Sequence, residues 1–444
     1  MFKRKIYNAL LEWKNSYADH YACLIEGARR VGKTTVAEAF ARSEYRSYLK
    51  VDFSNLTDAM LDIFRDIADI DLFFARLQLE TGIRLYTHDS CIIFDEVQLY
   101  PKARQAIKHL VADGRYHYIE TGSLLSIKKN VKDILIPSEE HKIEMYPMDY
   151  EEFCWATGSD FDLIRSIYLR NIPIGESTNR SLMRKFRIYL AVGGMPQAVE
   201  EYVRSSSFEN VDRVKREIIS LYKDDLMKID PSGYTSIIYE SVPSQLALKK
   251  KRFVISRATG KRTTAKDRER LFDLLNSKTV IPCYNITKPD ISLTQTLDLE
   301  SFKLYMSDVG LFTTQLFNSS DKTHEDIYRR LLSSNLSLDE EYLYENAVAQ
   351  AIASSGRKVF YHTWQKKEST HYYEVDFLIN EGKKISAFEV KSSSVNRHCS
   401  LDAFAEKYSK ILGRCYILSG KDVRRDKGIY YKPIYMTSLI LENA

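Results

Sequence analysis

The stretch LIEGARRVGKTTVAEAFA, Leu24 to Ala41, decides the fold. Gly27 is followed by Ala28, Arg29, Arg30 and Val31, and then by Gly32, Lys33, Thr34 and Thr35. The apolar run YACLI precedes this loop and helix formers follow it, so the expected context is strand, loop, helix. Each position has a mechanical reason. Gly27 and Gly32 let the backbone turn tightly and approach phosphate oxygens where a Cβ would obstruct it. The loop amides point inward, and the helix opening near Lys33 adds the positive end of its dipole. Lys33 then reaches the β- and γ-phosphates of a nucleotide, and Thr34 offers its hydroxyl to Mg²⁺.

Working outward, a second signal is SCIIFDEVQLYP, in which Cys91 to Phe94 form the continuous apolar run of a buried parallel strand. It ends in Asp95 and Glu96. Carboxylates at such a strand end assign Asp95 to the metal, directly or through its waters, and Glu96 to polarising the attacking water. YHYIETGS reads as a further strand ending in Thr121, Gly122 and Ser123, with Thr121 placed to contact the γ-phosphate or that water. SYLKVDFSN, with Asp52 and Ser54 at its end, and HKIEMYPM complete five strands, preceded by an amphipathic helix carrying Ile6, Leu10, Leu11 and Trp13. Alternation with helices implies a parallel sheet covered on both faces.

Composition is that of an ordinary soluble protein: 444 residues, 44% apolar and 28% charged. No window reaches the roughly 18 uninterrupted apolar residues of a membrane span, so no membrane partner and a cytoplasmic location are expected. The six cysteines form no CxxC pair, which points to neither a zinc site nor a disulfide framework. A net charge of +5 identifies no partner by itself, but its distribution is uneven. Ten basic side chains, Lys249, Lys250, Lys251, Arg252, Arg257, Lys261, Arg262, Lys266, Arg268 and Arg270, crowd one run. Together with the helix ERLFDLLNSK and the strand VIPCYNI this suggests a winged-helix-like unit that grips DNA phosphates. A solvated loop of scattered charge is the competing reading.

The motifs GARRVGKTT, IIFDEVQ, ETGS and IEMYPMDYEEF, with the later YLAVGGMPQAV (Tyr189 to Val199), resemble the predicted bacterial and archaeal ATPases of the AAA+ superfamily. The resemblance implies ATP and Mg²⁺ as ligands and a helical lid after the core, with Gly193, Gly194 and Pro196 in the stretch that follows the core. It also implies an arginine finger, for which Arg104, Arg115, Arg184 and Arg187 are candidates by position, and a homo-oligomer is a further expectation by analogy. KLYMSDVGLF, with Asp308 and Gly310, looks like a family element joining the middle to the last domain.

In the last hundred residues, Glu345 lies on a helical pattern, Asp376 inside the strand EVDFLI, and Glu389 and Lys391 two apart in ISAFEVK, hence on one strand face. A Glu, an Asp and a Glu-x-Lys converging on one point suit metal-dependent phosphodiester cleavage, with Glu345, Asp376 and Glu389 as metal ligands and Lys391 stabilising charge. This arrangement resembles the PD-(D/E)XK, restriction-endonuclease-like fold. The later helix DAFAEKYSKI lacks the glutamine that related nucleases often carry. The expected fold is α/β throughout: a P-loop NTPase core over 1–155, a helical lid over 156–225, a winged-helix-like segment over 226–315 and a nuclease-like domain over 316–444. The expected function is a Mg-dependent ATPase coupled to a DNA-interacting tail. The alternative is a non-cleaving switch that binds DNA or a protein partner.

Overall fold

The computed structural model describes residues 1–65, 67–122, 137–248, 252–317, 325–333, 341–366, 369–393 and 395–443. It divides into two units, one of residues 1–146 with 276–278, the other of residues 147–275 with 279–444.

The first unit is a five-stranded sheet of β1 (Ala22–Glu26), β2 (Ser47–Asp52), β3 (Ser90–Asp95), β4 (His117–Gly122) and β5 (Glu140–Glu144), in the order β2-β3-β4-β1-β5. Every pairing is parallel. The strands fall on the five stretches read from the sequence. All of β3 and β4 is buried, as a parallel strand sandwiched between helices must be. On one face, Phe53, Phe64 and Phe94 meet edge to face at 5.2–5.8 Å beneath α3 (Asp58–Arg65), α4 (Ile70–Thr81) and α5 (Pro101–Asp113). On the other face, Trp13 of α1 (Ile6–Ser16) and Tyr45, just past α2 (Lys33–Glu44), pack around His117. Because β4 separates β1 from β3, the carboxyl ends of all three lie side by side on one sheet edge.

The second unit opens with helices. These are α6 (Tyr150–Ala156), α7 (Phe161–Arg170), α8 (Glu176–Val192), α9 (Pro196–Ser205), α10 (Phe208–Ile229), α11 (Tyr234–Glu240), α12 (Val242–Ala247), α13 (Ile255–Thr259) and α14 (Ala265–Asn276). An eight-stranded sheet follows, built from β6 (Val280–Ile286), β7 (Leu297–Met306), β8 (Val359–Gln365), β9 (Tyr372–Glu381), β10 (Lys384–Lys391), β11 (Leu412–Ser419), β12 (Arg424–Asp426) and β13 (Ile429–Pro433), in the order β12-β13-β11-β10-β9-β8-β6-β7. The helices α15 (Val309–Leu316), α16 (Glu325–Ser333), α17 (Glu341–Ser354), α18 (Cys399–Lys407) and α19 (Thr437–Glu442) complete it. Leu401 and Phe404 of α18 close one face of the sheet over Val375, Leu378 and Ile417.

VIPCYNI differs from its expected role. As β6 it is no free wing: it pairs antiparallel with β7 and parallel with β8, which carries the sheet across the expected boundary at 315/316. Its buried positions, among them Val280, Ile281, Cys283 and Ile286, are those of an interior strand. The basic run is also less free than its composition suggests. Lys249, Lys250 and Lys251 lie outside the described residues, as does Ser123. Arg270 is buried and bonded to Asp230 and Asp267 at 2.9 and 2.7 Å, Arg268 pairs with Glu300 at 3.2 Å, and Lys261 sits 3.6 Å over the Tyr234 ring.

The two glycine motifs form one knot. A Cβ on Gly194 would lie 2.0 Å from the Met148 carbonyl oxygen, one on Gly193 would lie 2.3 Å from Asp308 Oδ1, and one on Gly310 would lie 2.3 Å from the Val192 carbonyl oxygen. Beneath them Lys215 donates to the Ala191 carbonyl at 2.6 Å and to the Tyr328 hydroxyl at 3.0 Å. YLAVGGMP and SDVG are therefore close-packing devices that let α8, α10 and α15 approach backbone to backbone.

Candidate functional site

In the first unit the loop after β1 carries the constraint. A Cβ on Gly27 would meet the Met145 carbonyl oxygen at 2.2 Å, and Gly32 has a φ of 98°, so both positions require glycine for different reasons. Ala28 and Val31 are buried and anchor the loop, whereas Arg29 and Arg30 are exposed at its tip, Arg30 with a φ of 69°. Lys33, first residue of α2, is 7% exposed, and its ammonium donates to the Gly27 and Ala28 carbonyls at 3.1 and 2.9 Å. Burial pulls its pKa down to about 8, against the opposing pull of Glu96 and Asp95. An anion in the loop would offset that penalty.

Thr34 donates to Asp95 Oδ1 at 2.8 Å, and the Thr121 hydroxyl donates to the same oxygen from the end of β4. Two strand ends and the head of α2 thus converge through one carboxylate. Glu96 follows in a left-handed conformation, φ 54°, that turns its backbone amide toward Thr121 Oγ1 at 3.4 Å. Gln98 donates its side-chain amide to the Glu96 carboxylate. Sequence reading missed Gln98: it lies inside IIFDEVQ, but only the turn at Glu96 brings it back. Thr35 is exposed on α2, and Asp52 caps its own turn by accepting from the Ser54 amide and hydroxyl at 2.9 and 2.6 Å.

The donor set suits a magnesium nucleotide. The lysine is buried with only carbonyl oxygens as its hydrogen-bond acceptors among the described residues, the loop is one that a Cβ would block, and a hydroxyl and a carboxylate share a hydrogen bond where a divalent ion would join them. Of the first unit's candidate arginine fingers, Arg104 is buried in a two-pronged bond to Glu140, 2.7 Å on each side. Arg115 bridges Asp71 and Asp113 at 2.8 Å each.

The second unit gathers Glu345, Asp376 and Lys391 around a cavity of about 140 Å³, with Glu389 beside it. Two lysines occupy this cluster. Lys391 bonds Glu389 at 3.0 Å and Glu341 at 3.2 Å, while Lys303 bonds Glu374 at 2.7 Å and stands 3.7 Å from Glu345. Tyr305 donates to Glu345 at 2.8 Å, and the Val390 amide donates to Asp376 at 2.8 Å. Burial, then the neighbouring Glu345, raises the Asp376 carboxyl well above the usual range, with Lys303 and Lys391 opposing. Lys303, Glu341 and Glu374 went unnoticed in the sequence, because Lys303 is contributed by β7, some seventy residues from the motif.

Among the described residues no three His, Cys, Asp or Glu side chains are arranged to hold a metal ion. The expected ligand set of Glu345, Asp376 and Glu389 shares this region with two ammonium groups, Lys391 on Glu389 and Lys303 near Glu345.

A glycine cradle, a buried lysine at the head of a helix and a carboxylate shared by two threonines define a P-loop nucleotide-binding domain. Residues 19–154 match the AAA domain family. Residues 183–322 match a domain of unknown function, DUF8612, and residues 341–437 another, DUF4143. The eight-stranded sheet draws strands from both. No curated protein matches the chain.

Among solved structures the chain is similar to the Signal Transduction ATPase with Numerous Domains protein with a tetratricopeptide repeat sensor from Pyrococcus horikoshii. Identity is 13% over 80% of this chain and 48% of that one, with a TM-score of 0.30, so the chain spans about half that protein's length. It is also similar to the Thermotoga maritima RuvB Holliday junction branch migration motor, at 13% identity, 65% and 90% coverage and a TM-score of 0.28. A third similarity is to Drosophila ORC bound to DNA, at 13% identity, 68% and 91% coverage and a TM-score of 0.27. No described helix is long and apolar enough to cross a membrane.

Proposed function

We propose that the chain binds MgATP in the first unit and hydrolyses the γ-phosphate there, and that the second unit responds to nucleotide state without cleaving nucleic acid. The observation that carries the first half is the single carboxylate oxygen of Asp95 joined to Thr34 and Thr121 beside the buried Lys33. In this reading the loop amides and Lys33 bind the phosphates, Thr34 and Asp95 hold Mg²⁺, and Glu96, oriented by Gln98, takes up the proton of the attacking water. Mg²⁺ supplies neutralisation of charge developing on the phosphate oxygens.

The second half rests on the lysines. With Lys303 and Lys391 each bonded to acids of the cluster, part of the charge that a metal would balance is already offset internally. That favours a docking or switching role for the nuclease-like residues Asp376, Glu389 and Lys391 over catalysis.

Phosphate release by the purified chain tests the first half. Turnover is expected in wild type, with loss of ATP binding in Lys33→Ala and retained binding without turnover in Glu96→Gln. Equal release by wild type and Glu96→Gln would overturn hydrolysis at this site. For the second half, DNA is incubated with the chain and Mg²⁺ or Mn²⁺. A metal-dependent product from wild type that Lys391→Ala fails to make would restore the nuclease reading.

A further inference from the structure

A second charged concavity lies in the second unit, between α8 and α16, away from the carboxylates. Asn179, Met183, Phe186 and Leu190 form the buried side of α8. Arg180, Arg184 and Arg187, at spacings of four and three, share a neighbouring side. With Arg329 of α16 they line a cavity of about 560 Å³ whose other walls are three serines and Leu332. Among the described residues no carboxylate lines it. Arg180, Arg184 and Arg187 make no ion pair or hydrogen bond among the described residues, and the Nε of half-buried Arg187 is shut off from solvent with no partner.

The guanidinium groups of Arg180, Arg184 and Arg187, with no counter-ion among the described residues, repel one another, and a desolvated donor without an acceptor costs free energy. An anion would relieve both. We propose that this groove binds the phosphodiester backbone of nucleic acid without reading its sequence. Guanidinium forks match phosphate oxygens in pairs, and the serine hydroxyls add neutral donors. Arg180 and Arg187 stand about 10 Å apart along the helix, too far to share one phosphate, so the ligand carries its phosphates in a row. Among the described residues the walls hold no aromatic ring on which a base could stack and no acid to read a base amino group, which leaves the backbone as the part recognised. This inference is independent of the hydrolysis proposed for the first unit.

The test is fluorescence anisotropy of a labelled mixed-sequence DNA duplex with the full chain over a range of salt concentrations. The double variant Arg184→Glu, Arg187→Glu is expected to weaken binding by tenfold or more and to flatten the plot of log affinity against log salt by about 0.9 per lost contact. Thermal melting should remain as in wild type. If charge reversal prevents folding, Arg184→Lys with Arg187→Lys keeps the charge and is expected to weaken binding while retaining the salt slope. Affinity and slope equal to wild type in a folded charge-reversed variant would overturn the proposal, as would loss of DNA binding only in Lys266→Glu, Arg268→Glu. Binding of inorganic polyphosphate with none of DNA would also overturn it, as would a fall in phosphate release with DNA affinity unchanged.

Discussion

The Asp308 carboxylate accepts the backbone amide of Gly194 at 2.6 Å through one oxygen and caps α15 by accepting from Leu311 at 2.9 Å through the other. One buried side chain thus ties together two glycine motifs separated by more than a hundred residues. Asp308→Ala should leave two amides unpaired and destabilise the second unit by about 1–3 kcal/mol for each. Chemical denaturation with a probe in that unit measures the loss. A change within a few tenths of a kcal/mol would mean the knot is not under load.

Gly193 combines a φ of 83° with a Cβ position 2.3 Å from Asp308, whereas Gly260 has a φ of 68° and open space around it. Gly260→Ala should cost only the left-handed strain, about 1–2 kcal/mol. Gly193→Ala adds the clash and should cost clearly more. Equal shifts in melting temperature would remove the packing argument.

Lys33 should lose its proton as pH rises through about 8 in the free chain. The sign follows from burial: the folded state holds fewer protons than the unfolded one between that pKa and the ordinary lysine value, so apo stability rises with pH there. ATP affinity moves the opposite way, because the phosphates need the ammonium form. Titration calorimetry in buffers of differing ionisation enthalpy should detect proton uptake on ATP binding near pH 8 to 9, and Lys33→Arg should abolish it.

Thr121 donates to Asp95, and in the hydrolysis proposed for the first unit it would position that carboxylate. Thr121→Ala should lower phosphate release about 10- to 100-fold and weaken the apparent Mg²⁺ affinity, with ATP binding retained and rescue by Thr121→Ser. An unchanged Mg²⁺ dependence would assign Thr121 a structural role alone.

Lys303 compensates the cavity acids. Lys303→Met should destabilise the second unit by about 3–5 kcal/mol at neutral pH, since it leaves buried carboxylates without a partner. The deficit should shrink as pH falls: an acid whose folded pKa is raised binds its proton more readily folded than unfolded, so acid favours the folded variant. A pH-independent deficit would point to lost packing instead.

Much of the first unit was legible in the sequence. Its five parallel strands, the loop from Gly27 to Thr34 and the acids at Asp95 and Glu96 follow from local patterns, because a P-loop is a contiguous stretch and a buried strand is a continuous apolar run. Gln98 escaped notice because a left-handed residue folds it back. In the second unit the strands around Asp376, Glu389 and Lys391 were legible as well, but their surroundings were not. Lys303 reaches them from a strand that looked like part of another domain, and Asp308, which read as a turn, proved to be a buried bond to Gly194.

Periodicity and spacing determined which elements form and that phosphates belong at the first of them, since those signals depend on neighbours along the chain. Only the tertiary structure decided what neutralises each buried charge. Desolvation and Coulomb attraction act through space, and Lys303 with Glu374 and Arg104 with Glu140 are partners that sequence spacing does not announce.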